Sequence, residues 1–246
     1  MMKILIKQCR AELLRVIRNP YYVFWSLLMP IMFYFIFTRV VNTGGENQAE
    51  WAAHYLMSMT TFSVMGSAIM TLGIRLVQER TQGWTTFMRV TPLPGPVYFF
   101  GKMFGQTVMH LISIVFIFLA GVLINGVSLP ALTWVYSVLW ILAGSLPFLA
   151  IGTLVGTMKR VDTASGVSNA IYLALAVTGG MWMPIEIMPK LMQHIGKWLP
   201  SYNFGNGAWE IIRGHAPDWS NILILLGYLI LFMILSTYIR KKQEVV

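Results

Sequence analysis

Between Lys102 and Lys159 the chain contains no Asp, Glu, Lys or Arg. A water-facing surface cannot be built from such a stretch, since soluble domains carry roughly 25% charged residues. The pattern extends to the whole chain, of which 57% is apolar and only 11% charged. Six apolar stretches stand out, at residues 22–38, 56–74, 103–124, 132–158, 167–183 and 222–239. Each is near the ~20 residues that carry a helix across a bilayer, and none alternates with the period of two of a membrane barrel strand. Backbone polar groups in hydrocarbon then have to be paired within helices. The sequence predicts an all-α integral membrane protein with six transmembrane helices, organised as one domain over residues 1–246. Pro147 lies inside the fourth stretch, where a kink or a strong tilt is expected.

The basic residues set the orientation. Fourteen of the 18 Lys and Arg lie in residues 3–18, 75–102, 159–160 and 240–242, and the other four are Arg39, Lys190, Lys197 and Arg213. Such asymmetry puts the rich side inside. Both termini are therefore expected in the cytoplasm, in a multi-pass protein of a bacterial-type plasma membrane. The formal charge of +9 is spread in short clusters between apolar blocks, so no basic face for nucleic acid is expected. Residues 22–38 end at Thr38-Arg39 without a small-residue cleavage site, and they are read as a retained span.

Residues 3–18 have helical period. Leu5, Ile6, Cys9, Leu13, Val16 and Ile17 share one arc, while Lys3, Lys7, Arg10, Arg15 and Arg18 lie on the other, with Ile4, Ala11 and Leu14 as exceptions. This is the pattern of a helix lying in the membrane interface, against the lipid bilayer. Asn19-Pro20 ends it. Residues 184–219 form the opposite kind of segment, apolar but interrupted by Pro189, Pro200 and Gly205. They are expected to form short, re-entrant-like external helices between spans five and six.

Chemical motifs are sparse. No GxxxxGK[ST] phosphate loop is present, and the chain has neither HExxH nor GxSxG, so no catalytic residue, metal site or cofactor is assigned to it. Cys9, the single cysteine, is read as a small hydrophobe. His110 lies within the third span and is read as hydrogen-bonded inside the bundle. Gly101-x-x-x-Gly105 and Gly152-x-x-x-Gly156 allow close backbone approach, and packing within the chain is preferred to a dimer seam. Spans without carboxylates argue against a proton- or sodium-driven carrier. A membrane-embedded enzyme or a sensor subunit is the alternative class, and it would want a clustered polar site in the bundle.

The connection after the second span reads Gln78-Glu79-Arg80-Thr81-Gln82-Gly83-Trp84-Thr85-Thr86-Phe87-Met88-Arg89-Val90-Thr91-Pro92. It resembles the cytoplasmic signature of the permease subunits of type-2 ATP-binding cassette exporters, with an acidic-basic pair, a glycine, a short helix and Thr-Pro. Gly180, Pro184, Pro189 and Pro200 are similar to that family's external segment and would form an outer gate. The resemblance implies a dimer of permeases, as two copies or with a paralogue, bound to separate ATP-binding subunits that hold ATP and magnesium. It implies outward movement of a hydrophobic or amphipathic small molecule. Within the 75–102 loop, Glu79, Arg80, Gly83, Phe87, Arg89, Thr91 and Pro92 would couple the chain to the ATPase. Apolar residues flanked by charges are also what a short helix needs to seat on a protein partner.

Overall fold

The computed structural model describes residues 2–18, 20–41, 47–91 and 93–244, every one of them in helix or in short connections. Helix α1 spans Met2–Ile17 and α2 spans Pro20–Phe35, the latter running on as a π-helix over Ile36–Val41. Three pieces then form one rod: α3 at Gln48–Gly66, a π-helical stretch at Ser67–Thr71, and α4 at Leu72–Thr81. Short α5 (Trp84–Arg89) leads to α6 (Gly95–Asn125), the longest α-helix. Next come α7 (Ala131–Gly144), α8 (Leu146–Val155) and α9 (Val161–Thr178). A 3-10 turn at Ile185–Ile187 precedes α10 (Lys190–Trp198) and α11 (Pro200–Ile212), and α12 (Trp219–Glu244) closes the bundle.

Four of these units are long and apolar enough to cross a membrane: Gln48–Thr81, Gly95–Asn125, Ala131–Val155 and Trp219–Ile239, with Ser26–Val41 as a shorter apolar helix. The first of them is buried almost throughout α3, where Tyr55, Leu56, Met57, Met59, Val64 and Met65 are each at most 1% exposed. It is the centre of the bundle. By contrast α12 presents Leu223, Ile230 and Ile234 outward, as a helix at the lipid boundary would.

Two sequence expectations change in extent. Residues 75–102 were expected to connect two spans, but the rod stays helical to Thr81 and α6 already begins at Gly95. Only residues 82–94 lie between them, because Arg75 to Thr81 and Gly95 to Lys102 keep their helical hydrogen bonds beyond the apolar core. The fifth stretch, read to 183, ends at Thr178, since Gly180 turns the chain at φ 74°.

The break in the fourth stretch falls where Pro147 requires it. α7 stops at Gly144, Ser145 bonds through Oγ to the Leu142 carbonyl at 2.7 Å, and α8 restarts with Pro147 in its first turn, where the missing N–H costs nothing. The kink opens a socket that α11 fills. A Cβ on Gly144 would stand 2.6 Å from the Phe204 ring, and Trp140 donates its indole N–H to the Phe204 carbonyl at 2.9 Å. On its other side α11 meets α3, where Trp209 donates to Ser58 Oγ at 3.0 Å. The segment expected as short helices is thus two helices and a 3-10 turn, with α11 sunk into the bundle.

Candidate coupling site

The end of the molecule where α1, α4 and α6 meet holds a cluster of buried charges. α1 lies along α6 because α6 offers glycines beneath it: a Cβ on Gly101 would come 2.5 Å from Gln8, and one on Gly105 would come 3.1 Å from Glu12. The first GxxxG pair therefore packs within the chain. So does the second, for a Cβ on Gly156 would press on Leu76 at 2.8 Å.

Seating α1 this way selects its inward face. Leu5, Gln8, Cys9 and Glu12, spaced i, i+3, i+4 and i+7, turn toward the protein, whereas Ile6 of the apolar arc is 61% exposed. The apolar arc is thus split between the bundle and the outside. Glu12 goes in with it, 5% exposed.

Lys102 meets Glu12 there at 2.8 Å. It also pairs with Glu79 from the last turn of α4, and Glu79 accepts further bonds from the Arg15 guanidinium and the Tyr98 hydroxyl. Glu79 and Lys102 are each 2% exposed. Two buried carboxylates are balanced by the buried Lys102 and by Arg15, which reaches in from an exposed position, and buried ions need such pairing to remain charged. The arrangement binds three helices at one point.

Next to it, Arg80 donates to the Met158 carbonyl just beyond the end of α8. That carbonyl lies at the negative end of a helix dipole, a favourable place for a guanidinium. Glu79 and Arg80 therefore hold the end of the rod on two sides, and neither forms an outward pair.

What does face outward is α5. Gly83 adopts φ 74° with nothing within 4 Å of a would-be Cβ, and it turns the chain out of α4. Trp84 and Phe87 meet as a tilted ring pair at 5.5 Å between centroids, and with Val90 they are 42%, 57% and 80% exposed. Thr91 closes the helix by returning its hydroxyl to the Met88 carbonyl at 2.7 Å. Pro92 and the Arg89 side chain lie outside the described residues.

The expected gate residues sit elsewhere, along the chain from α9 to α11. Gly180 is the turn, Pro184 and Pro189 precede the 3-10 turn and α10, and Pro200 is buried at the start of α11. They do not approach the charge cluster. Between α2, α3 and α9 lies a cavity of about 450 Å³, lined by Met29, Phe33, Phe62, Ser67, Tyr172 and Trp182 among others.

Sequence reasoning missed Glu12, Arg15, Tyr98 and Lys102 as members of the site. The signals were faint but present. Glu12 is the only acidic residue before Glu46, set in an otherwise basic helix, and Lys102 is the last charge before the uncharged stretch, flanked by Gly101 and Gly105.

Residues 38–238 match the family described as ABC-2 family transporter protein. The chain is 61% identical over 245 residues to the putative transport permease YvfS of Bacillus subtilis (strain 168), with 100% of both chains covered. It is also 24% identical over 211 residues to the daunorubicin resistance ABC transporter permease protein DrrB1 of Streptomyces coeruleorubidus, covering 81% of this chain and 71% of that one. With the family model spanning most of its length, this chain belongs to the ABC-2 transporter family as a membrane permease.

Proposed function

We propose that the chain is the membrane subunit of an ATP-driven exporter, crossing a plasma membrane six times with both termini in the cytoplasm. A second permease, identical or paralogous, completes the pathway. Separate ATP-binding subunits dock on α5 and hold ATP and magnesium. The observation that carries this reading is the contrast at the end of the rod. An exposed apolar surface of Trp84, Phe87 and Val90 follows directly on a turn anchored by the buried Glu79 and the half-buried Arg80. A docking surface needs exposed apolar anchors, and a lever needs a fixed attachment.

Glu79 and Arg80 act in this scheme by holding α4, while Phe87 and Trp84 make the contact. Gly83 sets the angle between them. Gly180, Pro184, Pro189 and Pro200 shape the outer closure around α10 and α11. The transported molecule is a hydrophobic or amphipathic small molecule moved outward. The apolar lining of the cavity between α2, α3 and α9 supports that class, as does the relative named for daunorubicin resistance.

The test replaces Phe87 by Ala in a chain co-expressed with its ATP-binding subunit. The variant inserts normally and loses co-purification of that subunit together with export. Full retention of both would show that α5 is not the docking element.

A further inference from the structure

Three buried polar side chains lie in line on α6. Lys102, Gln106 and His110 are spaced i, i+4 and i+8, and are 2%, 2% and 0% exposed. Such a stripe is costly inside a membrane helix, so each member needs a partner. Lys102 has Glu12 and Glu79. Gln106 has Ser67, donating to its backbone carbonyl at 3.1 Å and to its hydroxyl at 2.7 Å. His110 places Nε2 3.4 Å from the Gln106 amide nitrogen, whose two N–H groups already go to Ser67, and its Nδ1 has no hydrogen-bond partner among the described residues.

Ser67 opens the π-helical stretch of the long rod. A π-turn widens the helix and disturbs the i→i+4 ladder, so its carbonyls seek outside partners. Gln106 supplies one. From the other side α8 grips the same turn, where a Cβ on Gly152 would collide with the Ala68 carbonyl, and it stays close to the start of α4, where one on Gly73 would stand 2.8 Å from Val155. The turn also forms wall. Gly66, Ser67, Met70 and Thr71 all line the cavity between α2, α3 and α9.

We infer that Gln106 is a positioning residue which clamps the π-turn at Ser67 and passes displacement of the Glu79–Lys102 end of the rod to the cavity wall. Lys102 and Gln106 are one helical turn apart on the same face of α6. Glu79 and Ser67 are the points where the rod is fastened to that face. A shift of α4 relative to α6 therefore loads the Ser67 bond directly. The rod can answer at its widened turn, where the ladder is already loosened, by changing which carbonyl Gln106 holds. This rests on the coupling role given to the Glu79 end, but its test needs no ATP-binding subunit and no transported molecule.

The chain is purified with Cys9→Ala and Met70→Cys, reconstituted in liposomes, and labelled at Met70→Cys with N-ethylmaleimide. Four versions form a cycle: unaltered, Glu79→Gln, Gln106→Met, and both. Glu79→Gln changes the labelling rate by roughly two- to thirtyfold when Gln106 is present, the span expected of couplings carried through packed networks. In the Gln106→Met background that change falls away, because the fastening is gone. An equal change in both backgrounds, or none in either, overturns the inference. Ser67→Ala provides the second variant should Gln106→Met fail to insert. It keeps the carbonyl acceptor and loses the hydroxyl, so it reduces the effect of Glu79→Gln, and an undiminished effect there also overturns the inference. Loss of this coupling leaves docking through Phe87 intact, since that is read by co-purification.

Discussion

Lys102 reaches across the α1–α6 seam to Glu12 at 2.8 Å while also pairing with Glu79 of α4. One ammonium group thus fastens the N-terminal helix and the end of the central rod to the same turn of α6. Its removal is predicted to leave two buried carboxylates facing each other. Lys102→Met costs about 3–5 kcal/mol, the range for breaking a buried pair from one side. The triple variant Glu12→Gln, Glu79→Gln, Lys102→Met recovers much of that loss. Thermal unfolding in detergent, monitored by size-exclusion chromatography, distinguishes the two, and equal loss in both would show that the charges are not the source.

At Gly101 the α1–α6 seam has no room for a side chain, since a Cβ there would stand 2.5 Å from Gln8. Gly101→Leu is predicted to lift α1 by forcing Gln8 aside, with a penalty of about 1–3 kcal/mol for overpacking. Protease digestion of residues 3–18 in membranes then becomes faster. Unchanged protection would mean that α1 is held from the lipid side alone.

At Gly83 the cost is in the backbone alone. A Cβ there meets nothing within 4 Å, yet φ is 74°, so Gly83→Ala pays about 1–2 kcal/mol for the left-handed conformation. Co-purification of the ATP-binding subunit is expected to weaken by about 5- to 30-fold at that penalty. Because a Cβ there meets nothing, no packing is lost, and any loss of stability stays within that backbone strain.

Orientation has its own test. Reporter fusions active only outside the cell work after Gly126 and after His194, and fail after Thr163 and after Val246, as the basic asymmetry requires. Cysteine placed at Lys197, which is exposed on α10, is labelled from outside by an impermeant maleimide. The reverse pattern in both experiments inverts the assignment.

The helices were legible in the sequence because membrane spans announce themselves by unbroken apolarity, as residues 103–124 and 132–158 do. Their ends were less so. Arg75 to Thr81 continue the rod although they are polar, since helical hydrogen bonds outlast the apolar core once Glu79 and Arg80 have partners to meet. Pro147 was readable as a break from backbone chemistry alone, whereas Gly180 lay inside the apolar run read to 183, so the turn it makes at φ 74° was not. The charge cluster was not, because nothing in the spacing of Glu12, Glu79 and Lys102 shows that three helices bring them together. The Gln106–Ser67 contact at the π-turn was equally hidden, as it joins two helices far apart in sequence. Gly83 and the apolar residues of α5 were legible because their role is local.

The socket for α11 also dictates an order of biogenesis. Its thirteen residues are too few to span hydrocarbon, and its polar side chains such as Ser201 and Asn203 are buried only because the surrounding helices shelter them. Two walls of that socket, α3 and the kinked α7, emerge from the ribosome before α11, but the third, α12, follows it. Final seating of α11 therefore waits for synthesis beyond Trp219. A chain stopped at the link before α12 would leave the side of α11 that packs on α12 uncovered.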